Sequence, residues 1–184
     1  MKRTFKTALS IMVSMGLVAI SAPSALASET DSYRDSVSGA NQLISDINRP
    51  QSVYEKPAPR PASASTTNSM LTASANAVAF RRATLMTAGT VDWALFSEMN
   101  VDFYFDWTRV VDSSGWQRVG AAGFNTVQAL GINRTYTDGW KHSWRAQTDM
   151  GVGVPTPWGY WNATHQTLTQ FADVYGDGAW NAWR

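Results

Sequence analysis

The chain of 184 residues contains no cysteine. Disulfide bonds and thiolate metal sites are therefore excluded, and so is a cysteine nucleophile. A lipid attached through a cysteine at a cleavage site is excluded for the same reason. The fold must therefore be held together by side-chain packing and hydrogen bonds alone.

Positive charge is also scarce outside the first residues. The chain has 15 Lys+Arg and 14 Asp+Glu residues, and no stretch is rich in Lys or Arg. Lys2, Arg3 and Lys6 lie in a leader that we expect to be removed, which leaves 12 basic residues against 14 acidic ones. A chain with a net charge of −2 has no positive field for a phosphate backbone. We therefore expect no nucleic-acid partner.

Motifs for enzyme chemistry are missing as well. The sequence has no Gly-x-Ser-x-Gly, HExxH or glycine-rich phosphate motif. Asp102 and Asp106 share one face of a predicted strand, but four residues of strand separate two carboxylates by about 13 Å, too far for an acid–base pair. These absences argue against an enzyme without excluding one.

The two histidines, His142 and His165, are the only candidates for an imidazole metal site. With an acidic partner they would form a small copper, zinc or redox site, because imidazole and carboxylate suit both ions. Their spacing matches no metal-binding motif. The sequence therefore favours neither a metal nor any other cofactor.

The beginning of the chain has the three parts of a secretory signal peptide. Residues 1–6 are basic, residues 8–20 are mostly apolar, and Ala25-Leu-Ala27 is a small-x-small cleavage pattern. This leader resembles Gram-positive bacterial secretion signals. We expect cleavage after about Ala27 and a secreted, extracellular protein. No second long apolar run follows, so we expect no stable membrane anchor after cleavage.

Residues 28–75 are predicted to form a separate N-terminal segment. Apolar residues at helical spacing over 31–48 predict a short amphipathic helix, with Asp31 as a possible N-cap and Arg49-Pro50 as its end. This helix would pack on the later domain, belong to a removed pro-segment, or fray. Residues 50–74 are rich in Pro, Ala, Ser and Thr and predict a disordered linker.

Residues 76–184 are predicted to form one all-β domain. All nine tryptophans lie here, and residues 101–108 alternate between apolar and polar side chains, which indicates a strand with one buried face. Residues 112–115 are interpreted as the turn after this strand, and Asp138-Gly139 as a hairpin turn. About seven short strands predict an antiparallel β-sandwich, with a small β-barrel as the alternative. The predicted strands cover residues 78–91, 100–111, 116–130, 132–137, 140–147, 162–175 and 179–183.

Two aromatic groups are the candidate ligand-binding residues. Residues 150–161 contain three glycines and two prolines, which predict a loop that presents Trp158, Tyr160 and Trp161. In the strand before it, Trp140, His142 and Trp144 share one face, and Arg145 belongs to the opposite face. That aromatic face either stacks on sugar rings or belongs to the core.

The function that these features favour is binding of an extracellular ligand without catalysis. Export, many tryptophans and the missing catalytic motifs suggest a glycan of a cell envelope or of the environment as the partner. A secreted bacteriocin-like protein acting on membranes is the first alternative, because Trp and Tyr favour membrane interfaces. A small extracellular protein with a His/Asp metal or redox site is the second.

Overall fold

The computed structural model describes residues 24–61, 77–88 and 95–184, with the side chains of the first helix described from residue 34. Most of the predicted signal peptide, residues 62–74 of the predicted linker, residues 89–91 of the first predicted strand and Trp93 lie outside the described residues. One helix and eight strands follow in order. They are α1 (Ser24–Asn48), β1 (Ser52–Glu55), β2 (Ala79–Ala88), β3 (Leu95–Phe105), β4 (Val110–Ala121), β5 (Thr126–Thr137), β6 (Lys141–Thr156), β7 (Gly159–Tyr175) and β8 (Trp180–Trp183).

The strands form two antiparallel sheets. One has five strands in the order β1-β8-β7-β6-β5, and the other has three in the order β2-β3-β4. The inner faces of both sheets supply one apolar core, so the sandwich-like, mostly β prediction is confirmed. Over the described residues the two sheets stay separate, which rules against the small closed barrel considered as the alternative.

The apolar residues of the alternating pattern in β3 face the core, as predicted. Val101, Phe103 and Phe105 are completely or almost completely buried, while Tyr104 is exposed. The strand itself runs from Leu95 to Phe105, shifted toward the N terminus of the predicted range. The alternation identifies the buried face correctly because one face of the strand meets the core.

The turn after β3 lies earlier than predicted. Residues 112–115 are inside β4, and the chain reverses at 106–109, where Trp107 has a φ of 64°. Asp106 accepts hydrogen bonds from the backbone N–H groups of Thr108 and Arg109, which fixes the turn. Gly115 serves packing instead, because a Cβ there would lie 2.8 Å from the ring of Trp144.

The predicted loop over 150–161 is a β-hairpin. β6 continues to Thr156, β7 begins at Gly159, and the two strands pair along this whole stretch. β5 stops pairing with β6 at Gly151, so Pro155 lies where β6 has a neighbour on one side only. A proline is tolerated at such an edge because its missing N–H breaks no ladder bond. The turn at Asp138-Gly139 is confirmed as the connection between β5 and β6.

The N-terminal segment packs against the sheets. α1 begins at Ser24, so Asp31 lies inside the helix and is not its N-cap, while the end at Asn48 agrees with the prediction. Its buried residues Ala40, Leu43 and Ile47 form a second apolar core with residues of β3, β6 and β7. In the structure, the helix packs on the domain.

Part of the predicted linker is a strand. β1 pairs with β8, and the chain after it stays attached through the bond from the Ala58 N–H to the Asp177 carbonyl, 2.9 Å. The Arg81 guanidinium donates to the carbonyl of Lys56, and the Trp107 indole donates to that of Ala58. Prolines prevented a helix here but left the donors of residues 52–55 available for pairing.

Candidate functional site

A concave surface with aromatic lining lies at one end of the five-stranded sheet. There β1, the β5–β6 turn and the β7–β8 turn meet around a cleft of about 300 Å³. Aromatic rings form its walls, and one carboxylate and one amide provide polar groups. We call it the sheet-end cleft; its lining residues are Tyr54, Pro57, Trp140, Tyr175, Asp177, Ala179 and Asn181.

Trp140 is held in place by its own turn. The Asp138 carboxylate accepts hydrogen bonds from the N–H groups of Trp140 and Lys141, at 3.0 and 2.7 Å. These bonds lower the pKa of Asp138, with the bond from Lys141 contributing most. The indole packs over Gly176, where a Cβ would lie 2.8 Å from the ring. The ring is therefore fixed while 44% of the residue remains exposed.

Tyr54 and Asn181 enter the cleft from neighbouring strands. They are directly paired across β1 and β8, so their side chains leave the sheet on the same face. Tyr54 is 61% exposed, which leaves much of its ring open to a ligand. Residues 56–58 are hydrogen-bonded to β2, to the β3–β4 turn and to the β7–β8 turn. These bonds hold β1 in position, and Tyr54 with it.

Tyr175 completes the aromatic wall. Its hydroxyl donates to the Asp173 carboxylate at 3.4 Å, and the Lys141 ammonium lies 3.4 Å from the same oxygen. Burial raises the pKa of Tyr175, and the charge of Asp173 raises it further. The phenol is therefore neutral at physiological pH and keeps its proton for hydrogen bonding.

Asp177 is bound into its turn but faces the cleft. One carboxylate oxygen accepts the Ala179 N–H at 2.9 Å, and the Asp177 carbonyl accepts the Ala58 N–H. The predicted Gly176-Asp-Gly178 turn is therefore present, and it also supplies a polar group to the site. Among the lining residues, Asp177 alone carries a carboxyl group, whereas glycoside cleavage commonly uses two.

The seven sequence-predicted ligand residues are divided among four places. Trp140 lines the sheet-end cleft, and Arg145 is exposed on the outer face of the same sheet, opposite Phe171. Next to it the rings of Phe171 and Trp183 stack at 5.6 Å with an interplanar angle of 18°. Sugar-stacking surfaces commonly consist of such flat rings bordered by polar side chains.

His142 and Trp144 are inside the protein. Both are buried, at 5% and 8% exposure, so the predicted aromatic face of β6 belongs to the core and offers no stacking surface. The Ser113 hydroxyl is hydrogen-bonded to His142 Nδ1 at 2.7 Å and accepts the Trp144 indole N–H at 3.2 Å. Burial lowers the pKa of His142, and the nearby Arg134 charge lowers it further. A neutral, hydrogen-bonded core histidine is the result.

Trp158, Tyr160 and Trp161 are at the opposite end of β6 from Trp140. β6 spans 16 residues, or about 50 Å of strand, so these rings cannot contact a ligand held in the sheet-end cleft. They are 96%, 56% and 61% exposed. The prediction that they are exposed is correct, although they belong to a hairpin and not to a loop.

The two histidines do not approach each other. His142 lies opposite Val174 and His165 lies opposite Gly151, nine residues farther along β6 and about 30 Å away. His165 pairs with Asp149 at 3.2 Å. Within the described residues, no group of three His, Asp or Glu side chains is placed to hold a metal ion.

Asp102 and Asp106 have structural partners. Asp102 is bound to the Arg82 guanidinium, and that hydrogen bond lowers its pKa. The hydroxyl and N–H of Thr108 and the groups of Arg109 lower the pKa of Asp106 to about 2. Two carboxylates that stay ionised at neutral pH lack the proton that a general acid must donate.

Comparison with known proteins adds no family to this description. No protein-family model matches the chain, and no curated protein or solved structure matches it either. Within the residues that the structure describes, no helix combines the length and apolar character that crossing a membrane requires. A proposed function therefore has to rest on the chemistry of the chain's own surfaces.

Proposed function

We propose that the protein is a secreted, non-enzymatic binder of an extracellular glycan, and that the sheet-end cleft holds the sugar. The observation that carries the proposal is the union of three aromatic rings, one carboxylate and one amide around one open cleft. Tyr54 and Trp140 offer exposed ring faces for sugar C–H groups. Asp177 and Asn181 offer oxygen and nitrogen atoms for hydroxyl groups.

The shape of the site suits a chain-like ligand. The cleft is open, and its lining residues Tyr175 and Asn181 lie on the same outer sheet face as the stacked pair Phe171 and Trp183. A polysaccharide would lie across this face, with one sugar in the cleft and the next ones on the stacked rings of Phe171 and Trp183. Binding without cleavage fits the single carboxyl group in the lining.

Retention on insoluble polysaccharides tests the proposal. The wild-type protein and the variants Tyr54→Ala and Trp140→Ala are incubated with peptidoglycan, chitin and cellulose, and the unbound fraction is measured. We expect the wild type to be retained on at least one polymer. Each variant should bind it about tenfold more weakly, because a ring that covers sugar surface is lost.

Trp158→Ala is the matched control, because it removes an even more exposed indole at the far end of β6. Its retention should equal that of the wild type. Near-ultraviolet circular dichroism confirms that each variant is folded. Absence of retention on all three polymers contradicts the proposal, and so does equal retention of the wild type and Trp140→Ala.

A further inference from the structure

Two stretches that meet at one end of the five-stranded sheet carry no charge. Residues 119–133 and residues 150–164 contain no Asp, Glu, Lys, Arg or His. The structure brings these two stretches together, because Thr126 pairs with Gly151 and Gly153 donates to the Asn125 side chain at 3.3 Å. The β6–β7 hairpin and the β4–β5 turn therefore lie together at this end, opposite the sheet-end cleft.

The hairpin tip extends beyond its neighbour. β5 pairs with β6 only as far as Gly151, and Val152 to Thr156 pair with β7 alone. The turn is fixed by its own hydrogen bonds, with the Thr156 hydroxyl donating to the Gly159 carbonyl and accepting the Trp158 N–H. Gly159 has a φ of 127°, which a glycine adopts without strain.

Four aromatic rings are exposed at this end. Trp158 is 96% exposed at the turn, and Trp161 follows at 61%. Tyr160 and Phe124 stack at 5.9 Å, yet each remains more than half exposed. Exposed aromatic rings gathered at one end of a sheet commonly mark a contact with a partner or a membrane. We call these four rings the tip aromatics.

The structure assigns the tip aromatics to contact with the interfacial region of a lipid bilayer. Trp and Tyr concentrate at that depth, where the ring meets acyl chains and the polar atom meets water and headgroups. Residues 119–133 and 150–164 contain no charge that has to be desolvated when the tip aromatics enter the interface. The rings lie at the turn of a two-stranded hairpin, where they can enter between headgroups, whereas a sugar chain is bound better by a concave or flat surface.

A single fluorophore at the tip tests this assignment, because the chain has no cysteine of its own. Pro157→Cys in the full chain is labelled with an environment-sensitive nitrobenzoxadiazole dye, which leaves all four rings in place. Vesicles of phosphatidylcholine, with and without phosphatidylglycerol, are then added. We expect a blue shift and a severalfold rise in emission with both compositions, because the contact depends on apolar rings and not on charge.

Two further proteins make the test specific. The same dye at Tyr54→Cys, in the sheet-end cleft, should show no change in emission when vesicles are added. Because the dye reports only the surroundings of its own residue, the comparison of the two sites holds whether or not the leader is retained. Adding Trp158→Ser and Trp161→Ser to the Pro157→Cys probe should weaken vesicle binding about tenfold or more, because two rings that enter the bilayer are lost. Both rings are exposed in the free protein, so we expect these variants to fold.

No emission change at residue 157 with either vesicle would overturn the assignment, as would a change that survives both serine substitutions. An emission change without vesicles that grows with protein concentration would overturn it in favour of self-association. Glycan retention is measured separately and depends on the opposite end. Failure of the lipid assignment is therefore distinguishable from failure of the proposed glycan binding.

Discussion

At the residue scale, the environment of a side chain decides its role more than its type does. His142 and Trp140 are two residues apart and were predicted to share one ligand-binding face. His142 is buried and bonded to Ser113, whereas Trp140 is held at the surface by Asp138. The predicted strand began at Trp140, but β6 begins at Lys141, so Trp140 belongs to the turn and lines the cleft while His142 belongs to the core.

The pH dependence of stability should report the burial of His142. Its folded-state pKa is lower than its unfolded value of about 6.5, so the unfolded state takes up a proton first as the pH falls. Stability from this residue is complete above pH 6.5 and is lost as the pH drops toward the folded pKa. We expect the loss to approach at most about 1.4 kcal/mol per pH unit.

Urea unfolding at pH 7.5 and pH 5.5 measures this effect. His142→Gln should reduce the difference in unfolding free energy between the two pH values. Asn41→Ala, which changes an exposed side chain that does not titrate, should leave the difference as in the wild type. An unchanged pH dependence in His142→Gln would contradict the assignment of the effect to the buried imidazole.

Gly153 shows why the hairpin could not be predicted from composition. A Cβ at this position would lie 2.2 Å from the backbone carbonyl oxygen of Phe124, so glycine permits the β4–β5 turn to pack on β6. We expect Gly153→Ala to destabilise the protein by about 1–3 kcal/mol. Gly39→Ala is the control, because its Cβ would meet nothing within 4 Å and alanine favours a helix by about 0.5–1 kcal/mol. Equal midpoints for both variants in thermal unfolding would contradict this role of Gly153.

At the element scale, periodicity predicts best where one face of an element is buried and the other is exposed. β3 and the C-terminal part of α1 meet this condition, and the buried face of each agrees with the prediction, although β3 begins five residues and ends six residues earlier than predicted. β1 is too short and too exposed to show any pattern, so its pairing with β8 could not be predicted. Tyr54, the residue that β1 brings to the sheet-end cleft, was missed for that reason.

The same limit explains the other missed site residues. Tyr175 ends a correctly predicted strand, but its place in the cleft depends on the β1 segment lying beside it. Asn181 alternates with the buried Trp180 and Ala182, which was a usable signal for an outward-facing polar group. The residues around Asp177 predict a turn, but nothing in the sequence shows that this turn borders a cleft.

The packing of α1 leads to a prediction at this scale. Leu43 is 4% exposed and contacts the second apolar core, so Leu43→Ala should lower the free energy of unfolding by about 2–5 kcal/mol. Asn41→Ala changes an exposed position of the same helix and should have an effect below about 0.5 kcal/mol. Chemical denaturation of the three proteins gives the comparison. A Leu43→Ala variant as stable as the wild type would mean that the helix is not part of the folded domain.

At the scale of the whole molecule, the five-stranded sheet separates two surfaces of different chemistry. One end joins aromatic rings to polar groups in a cleft, and the other presents exposed aromatic rings on two stretches without charge, residues 119–133 and 150–164. The long β6–β7 hairpin connects them. A protein that binds an envelope glycan at one end and a lipid surface at the other would be well suited to the outside of a cell.

The most direct measurement is a nitrogen–proton correlation spectrum of the tryptophan indoles during titration with soluble oligosaccharides from chitin, cellulose and peptidoglycan. Single Trp→Phe variants assign the indole signals. The predicted result is that the Trp140 signal shifts with at least one oligosaccharide, while the signals of Trp158 and Trp161 stay in place. Shifts confined to Trp158 and Trp161, or no shift with any of the three, would contradict glycan binding in the sheet-end cleft.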